Sequence, residues 1–138
     1  MKIMQVTVQV ERAETAAAEA LVLTHCEGEG LPKQDAAPLD RALGGSLSKL
    51  MQSKEFEGKA NDVLLYHTHN KVPAKRLVLA GLGKKKDVTL EKIRQAMGSA
   101  VKRVRQAKVG AYSVLLPTVA PPGMSWVEVA QAMVEGAI

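Results

Sequence analysis

The sequence predicts an α/β domain in which a mixed sheet of about five to six strands carries helices on both faces. Three observations lead there. The apolar runs Ala20–Thr24 and, within Lys75–Ala80, Leu77-Val78-Leu79-Ala80 have the composition of interior strands covered on both sides. Two longer stretches, 39–50 and 90–104, place large aliphatic residues at intervals of three and four, the period of an amphipathic helix. Beyond an initial pair of strands, extended and helical segments alternate, which is the order that sandwiches a sheet between helices.

The first strand is read at Ile3–Val10, where Met4, Val6, Val8 and Val10 alternate with Ile3, Gln5, Thr7 and Gln9. Thr15–Glu19 is an alanine-rich link to the apolar strand at Ala20–Thr24. A loop follows at Glu27–Lys33, punctuated by Gly28, Gly30 and Pro32. Asp35 is placed to cap a helix whose stripe is Leu39, Leu43, Leu47 and Leu50. Gly44 and Gly45 sit inside that stripe, each costing about 1 kcal/mol relative to alanine, so close packing there is expected. Gln52–Asp62 is polar and loop-like, and Val63–Thr68 reads as a strand.

Lys75–Ala80 is the next buried strand, ended by Gly81-Leu82-Gly83 and followed by Lys84, Lys85 and Lys86. Thr89 can cap a long helix with Leu90, Ile93, Met97, Val101 and Val104 on one face and Arg94, Lys102 and Arg105 on the other, closed by Gly110. Ser113–Leu116 is a short strand, and Pro117, Pro121 and Pro122 mark a loop. Ser125 and Glu128 form a capping box for a last helix with Val127, Ala130, Val134 and Ala137 as its expected stripe. That helix runs to Ile138 with neither cap nor polar tail, as expected of a chain cut between elements.

The chain has 138 residues, the length of one domain, and 46% apolar against 24% charged residues. Aromatic residues are only 3%, so aliphatic side chains must build the core. A single cysteine, Cys26, excludes an intrachain disulfide and points to a reducing compartment. The N-terminus is too polar for a signal peptide, and no apolar run nears the roughly 20 residues of a membrane span, so no membrane partner is expected. The net charge of +5 is uneven: between Lys71 and Lys108 twelve basic residues stand against Asp87 and Glu91, giving +10, while the remainder carries −5. Such asymmetry suits either an anionic partner or a solvated helix face beside a lysine-rich turn.

Four groups of residues have the composition of a site. His67 and His69 put two imidazoles on one face of an extended segment, a spacing that can hold a metal, but a zinc site needs a third or fourth ligand from elsewhere. His25 and Cys26 are adjacent and, on a strand, would point to opposite faces, which separates a nucleophile from its base. Glu27 with Glu29, and Glu55 with Glu57, are carboxylate pairs in polar, glycine-flanked loops, with nothing near to raise one pKa. Gly81, Gly83 and Lys84 follow a buried strand, where backbone amides can cradle phosphate. The spacing is neither that of a P-loop nor that of a dinucleotide fingerprint, since Lys86 stands where the third glycine belongs. A tight strand exit with glycines at positive φ is the other reading.

An ordered set of segments carries a resemblance. It begins with Leu39-Asp40-Arg41-Ala42-Leu43-Gly44-Gly45-Ser46-Leu47 and continues through Phe56-Glu57-Gly58-Lys59 and Pro73-Ala74-Lys75-Arg76-Leu77-Val78-Leu79-Ala80-Gly81-Leu82-Gly83. Leu90-Glu91-Lys92-Ile93-Arg94, Ala96-Met97-Gly98 and Ala130-Gln131-Ala132-Met133-Val134-Glu135-Gly136-Ala137 complete it. In order and spacing this resembles the N-terminal domain of the leucine aminopeptidase (cytosol aminopeptidase) family, over nearly the whole chain. Asn61 departs from the glycine many members place after the Gly-Lys pair, and Tyr66–Lys71 matches no familiar pattern.

The resemblance implies a macro-domain-like α/β fold and a non-catalytic role in packing between subunits. Full-length members are two-domain, usually hexameric, cytoplasmic exopeptidases that remove N-terminal residues such as leucine with two divalent metals, zinc or manganese. Their metal ligands and catalytic arginine belong to the C-terminal domain, so no catalytic residue and no cofactor is assigned to this chain. The expected partners are its own C-terminal catalytic domain and further copies in a homo-oligomer. Two other readings stay open. One is a nucleotide or ADP-ribose module at the Gly81–Gly83 strand end. The other is DNA contact by Lys84, Lys85, Lys86, Lys102, Arg103 and Arg105.

Overall fold

Two parallel strands carry the centre of the sheet: β1 (Leu21–Glu27) and β3 (Arg76–Lys84), with Leu21 opposite Leu77 and Leu23 opposite Leu79. The computed structural model describes residues 12–29, 36–116 and 123–137. β2 (Val63–His67) lies antiparallel along the outer side of β3, and the short β4 (Ser113–Val114) lies parallel along the outer side of β1. The order is therefore β2-β3-β1-β4, a mixed sheet as expected. It has four strands among the described residues rather than five or six. The strand read at 3–10 lies outside them, as do Gly30, Pro32, Asp35, Pro117, Pro121 and Pro122.

Alternation along β1 and β3 sends neighbouring side chains into two separate cores. Leu21, Leu23, Leu77 and Leu79 meet Leu39, Leu43, Leu47 and Phe56 on one face. Ala20, Val22, Val78, Ala80 and Leu82 meet Ile93, Met97, Val101 and Val104 on the other. Each buried leucine contributes about 2 kcal/mol through removal of apolar surface from water. Both faces are thus covered by helices: α1 (Ala37–Ala42) and α2 (Ser46–Gln52) on the first, α3 (Leu90–Gln106) and α4 (Trp126–Ala137) on the second.

Where the sequence suggests one helix over 39–50, the chain forms two. Gly44 and Gly45 both adopt positive φ, 70° and 82°, and break it. The leucine spacing survives because α1 and α2 present Leu39, Leu43 and Leu47 to the same core. β3 does not stop at Ala80 but continues through the glycines to Lys84. The caps of the second layer match expectation. Thr89 accepts the Lys92 N–H at 3.2 Å, while Ser125 and Glu128 exchange backbone-to-side-chain bonds at 3.1 and 3.2 Å. The left-handed residue after α3 is Lys108, at φ 60°, rather than Gly110.

The phase of α4 differs from the expected stripe. Val129, Ala132, Met133 and Ala137 turn inward, whereas Val127 and Val134 are exposed. The reason is a close crossing of α3 and α4. A side chain on Gly136 would come within 2.8 Å of the Arg94 Cα, so this glycine must face α3 and fixes the rotation of the helix. At the same crossing Arg94 donates to Glu135 at 3.0 Å and to Glu91 at 3.3 Å; the hydrogen bond to Glu135 first, then the two carboxylate charges, hold its guanidinium pKa above the ordinary value.

Candidate functional site

In open α/β sheets ligands gather at the carboxyl ends of the parallel strands. Here that edge is built from the ends of β1 and β3, with the segment Gly58–Ala60 laid across it. Gly81 and Gly83 are buried beneath that segment, and Lys84 emerges exposed, opposite Glu27. The Gly81 N–H donates to the Asp62 carbonyl at 2.8 Å and the Gly83 N–H to the Gly58 carbonyl at 2.9 Å. Two amides read from sequence as a possible phosphate cradle are thus already engaged within the chain.

The two glycines serve different geometric needs. A Cβ on Gly81 would sit 2.7 and 2.8 Å from the carbonyl carbon and oxygen of Gly58, closer than atoms can approach. Gly83 instead has φ 82° and sits where the β1–β3 register slips, with His25 opposite Gly81 and Cys26 opposite Gly83. An extra residue in one strand bends it there, and glycine accepts the left-handed backbone.

His25 is buried at this edge, and its Nε2 donates to the Glu29 carbonyl at 2.9 Å, which fixes the proton on Nε2. Burial lowers its pKa, opposed by the hydrogen bond and by the charge of Glu29. Burial likewise raises the pKa of the half-buried Cys26, helped by Glu29 and opposed by Lys85, so the thiol stays protonated and poorly nucleophilic at neutral pH.

His67 ends β2 and His69 follows it at φ 53°; both are exposed, with ring centroids 6.4 Å apart. Among the described residues no group of three His, Cys, Asp or Glu side chains is placed to hold a metal ion. Between the two histidines Thr68 is fully buried, its hydroxyl donating to the Ala74 carbonyl at 2.6 Å, which pins the turn. One member of each glutamate pair is engaged with another residue. Glu57 forms an ion pair with Lys59 at 3.6 Å, while Glu29 supplies His25 with its carbonyl.

The basic residues form two clusters rather than one. Lys84, Lys85 and Lys86 lie exposed on the turn between β3 and α3, while Lys102, Arg103 and Arg105 occupy the last turns of α3. From Leu90 to Lys102 the helix alone rises roughly 18 Å. Sequence inspection missed a third feature. At the opposite, amino-terminal edge of the sheet lies an open depression of about 480 Å³, lined by Ala17, Glu19, Pro73, Lys75, Tyr112 and Ser113. Its residues come from three distant stretches of chain, so no local pattern marks it.

The model of the N-terminal domain of the cytosol aminopeptidase family matches residues 21–138. The chain belongs to that family. Within it, the probable cytosol aminopeptidase of Geobacter sulfurreducens is 38% identical over 130 residues, which is 91% of this chain and 26% of that protein. The probable cytosol aminopeptidase of Geobacter sp. strain M21 is 47% identical over 78 residues, 56% of this chain and 16% of the relative. The chain therefore spans about a quarter or less of the length of the curated relatives it matches. Among solved structures, the macrodomain of Mycobacterium tuberculosis DarG superposes with a TM-score of 0.72 at 18% identity, covering 96% of this chain and 89% of that one. The fold is accordingly macro-domain-like, as the resemblance implied. No helix among the described residues is long and apolar enough to cross a membrane.

Proposed function

We propose that this chain is the N-terminal assembly and positioning domain of a cytoplasmic leucyl aminopeptidase, whose hydrolysis of N-terminal residues is performed by polypeptide that follows it. The observation that carries this reading is the pairing of a family match over 21–138 with coverage of only 16% and 26% of two relatives named as aminopeptidases. A two-metal hydrolase needs carboxylates holding two ions about 3.5–4 Å apart. In this reading those ions, zinc or manganese, are bound outside residues 1–138. The domain's part is to pack against its own catalytic domain and against other copies in a hexamer.

The test compares the 138-residue chain with the full-length polypeptide that carries it. Leucine 4-nitroanilide turnover with added manganese or zinc is expected from the second only. Robust turnover by the short chain alone overturns the assignment. A second reading, contact with nucleic-acid phosphates, is favoured by the three consecutive exposed lysines at 84–86 on one turn. ADP-ribose binding has the likeness of fold to the DarG macrodomain in its favour, while the engaged amides of Gly81 and Gly83 count against it.

A further inference from the structure

α4 carries more apolar surface than its own packing uses. Val129, Ala132, Met133 and Ala137 are buried against α3 and the sheet core. Beside that inward face runs a second stripe, Val127, Ala130 and Val134, at the three- and four-residue spacing that aligns side chains along a helix. Val127 is 75% exposed, Val134 38%, and the adjacent Trp126 42%. Glu128, Gln131 and Glu135, all exposed, bound the stripe on its far side. A surface helix ordinarily turns one apolar stripe to the core and polar residues to water, so an aliphatic stripe with an indole at its head is surface awaiting a cover.

We propose that this stripe seats the metallopeptidase portion of the same polypeptide, an inference that rests on the reading in the preceding section. Two observations choose this occupant. α4 is the last described element within the matched residues 21–138, and this chain covers only 16% and 26% of two relatives, whose length is several-fold greater than the aligned part. A stable complex of separate molecules buries roughly 800 Å² on each partner, more than one stripe on a 12-residue helix supplies. A covalently connected partner meets the stripe at an effective concentration near millimolar, so a small apolar contact suffices.

The experiment is hydroxyl-radical footprinting of Trp126, the only tryptophan of this chain, read by peptide mass spectrometry. It is run on the 138-residue chain and on the full-length polypeptide. Trp126 is expected to oxidise rapidly in the short chain at any concentration and several-fold more slowly in the full-length protein. The double substitution Val127→Asp, Val134→Asp is expected to restore rapid oxidation in the full-length protein while leaving the thermal midpoint of the short chain in place. Equal oxidation in the two forms overturns the proposal, as does protection that grows with concentration in the short chain, the mark of a second copy. Leucine 4-nitroanilide turnover by the full-length protein, measured alongside, separates failure of this docking from failure of the aminopeptidase reading.

Discussion

The carboxylate of Asp40, on α1, accepts the backbone N–H of Leu47, at the start of α2, at 2.7 Å. It also accepts the Ser48 N–H at 3.3 Å and the Ser48 hydroxyl at 2.5 Å. The residue in the N-cap position of α2 is Gly45, which has no side chain to offer. Asp40 therefore caps α2 from the preceding helix, across the glycine turn that separates the two. A buried carboxylate aimed at a helix N-terminus satisfies otherwise unmatched donors and meets the positive end of the helix dipole. The device explains how the chain tolerates two glycines within a stretch of leucines: the broken ladder is replaced by side-chain acceptors.

Asp40→Ala is expected to cost about 2–3 kcal/mol, since it leaves buried donors unsatisfied and removes a cap. Asp40→Asn keeps an acceptor for Leu47 but not the charge, and should lose about half as much. Urea denaturation followed by circular dichroism measures both. Equal midpoints for Asp40→Ala and the parent chain would refute the capping role.

Gly81 and Gly83 are predicted to respond differently to alanine. At Gly81 the new methyl meets the Gly58 backbone, which cannot turn away, so the penalty exceeds about 3 kcal/mol or the chain fails to fold. At Gly83 the nearest atom, the Ala60 Cβ, is at an ordinary 3.5 Å, and the cost is the left-handed backbone alone, about 1–2 kcal/mol. Denaturation midpoints rank the two variants. If Gly83→Ala proves the more damaging, Gly58–Ala60 does not cross the strand as described.

The same glycines show where sequence reading succeeds and stops. β1, β3 and α3 were legible because burial imposes a period, and a period is a local property. The reason for Gly81 was not legible, because the backbone that excludes a side chain there lies more than twenty residues earlier in the chain. α4 was mis-phased because it carries two apolar stripes, and only the Gly136–Arg94 crossing decides which faces inward. No local pattern marks Asp40, because the donors it accepts lie seven and eight residues further on. The need for an acceptor from elsewhere arises only once the chain breaks at Gly44 and Gly45 and leaves Gly45 at the N-cap of α2. The charge excess between Lys71 and Lys108 is a property of composition, and the rise of α3 divides its two clusters in space.

His25 predicts a pH dependence of stability. Its folded pKa lies below the ordinary 6.5, mainly because burial disfavours the charged form. The unfolded chain therefore binds the proton more readily, and stability rises with pH through this window. The contribution is fully present above the unfolded value of about 6.5 and is lost as pH falls from there toward the folded pKa. Replacing His25 by Gln, which can still donate to the Glu29 carbonyl, should flatten the dependence of the urea midpoint between pH 5 and pH 7.5 relative to the parent chain. An unchanged slope would assign the acid sensitivity to other groups.

The two basic clusters give the nucleic-acid reading a quantitative form. Each phosphate neutralised on duplex DNA contributes about −0.9 to the slope of log K against log salt concentration. Contact through Lys84, Lys85 and Lys86 alone predicts a slope no steeper than about −2.7, whereas engagement of Lys102, Arg103 and Arg105 as well predicts about −5.4. The latter requires one duplex to follow α3 from its first turn to its last, a rise of roughly 25 Å, or about seven base-pair steps. Changing the three lysines to alanine should abolish binding in the first case and reduce the slope by half in the second. The lysines are exposed and outside both cores, so the folded state is expected to survive the change. Fluorescence anisotropy with a labelled duplex across a salt series distinguishes the two. Unaltered anisotropy at low salt removes this reading and leaves the lysines as a solvated turn.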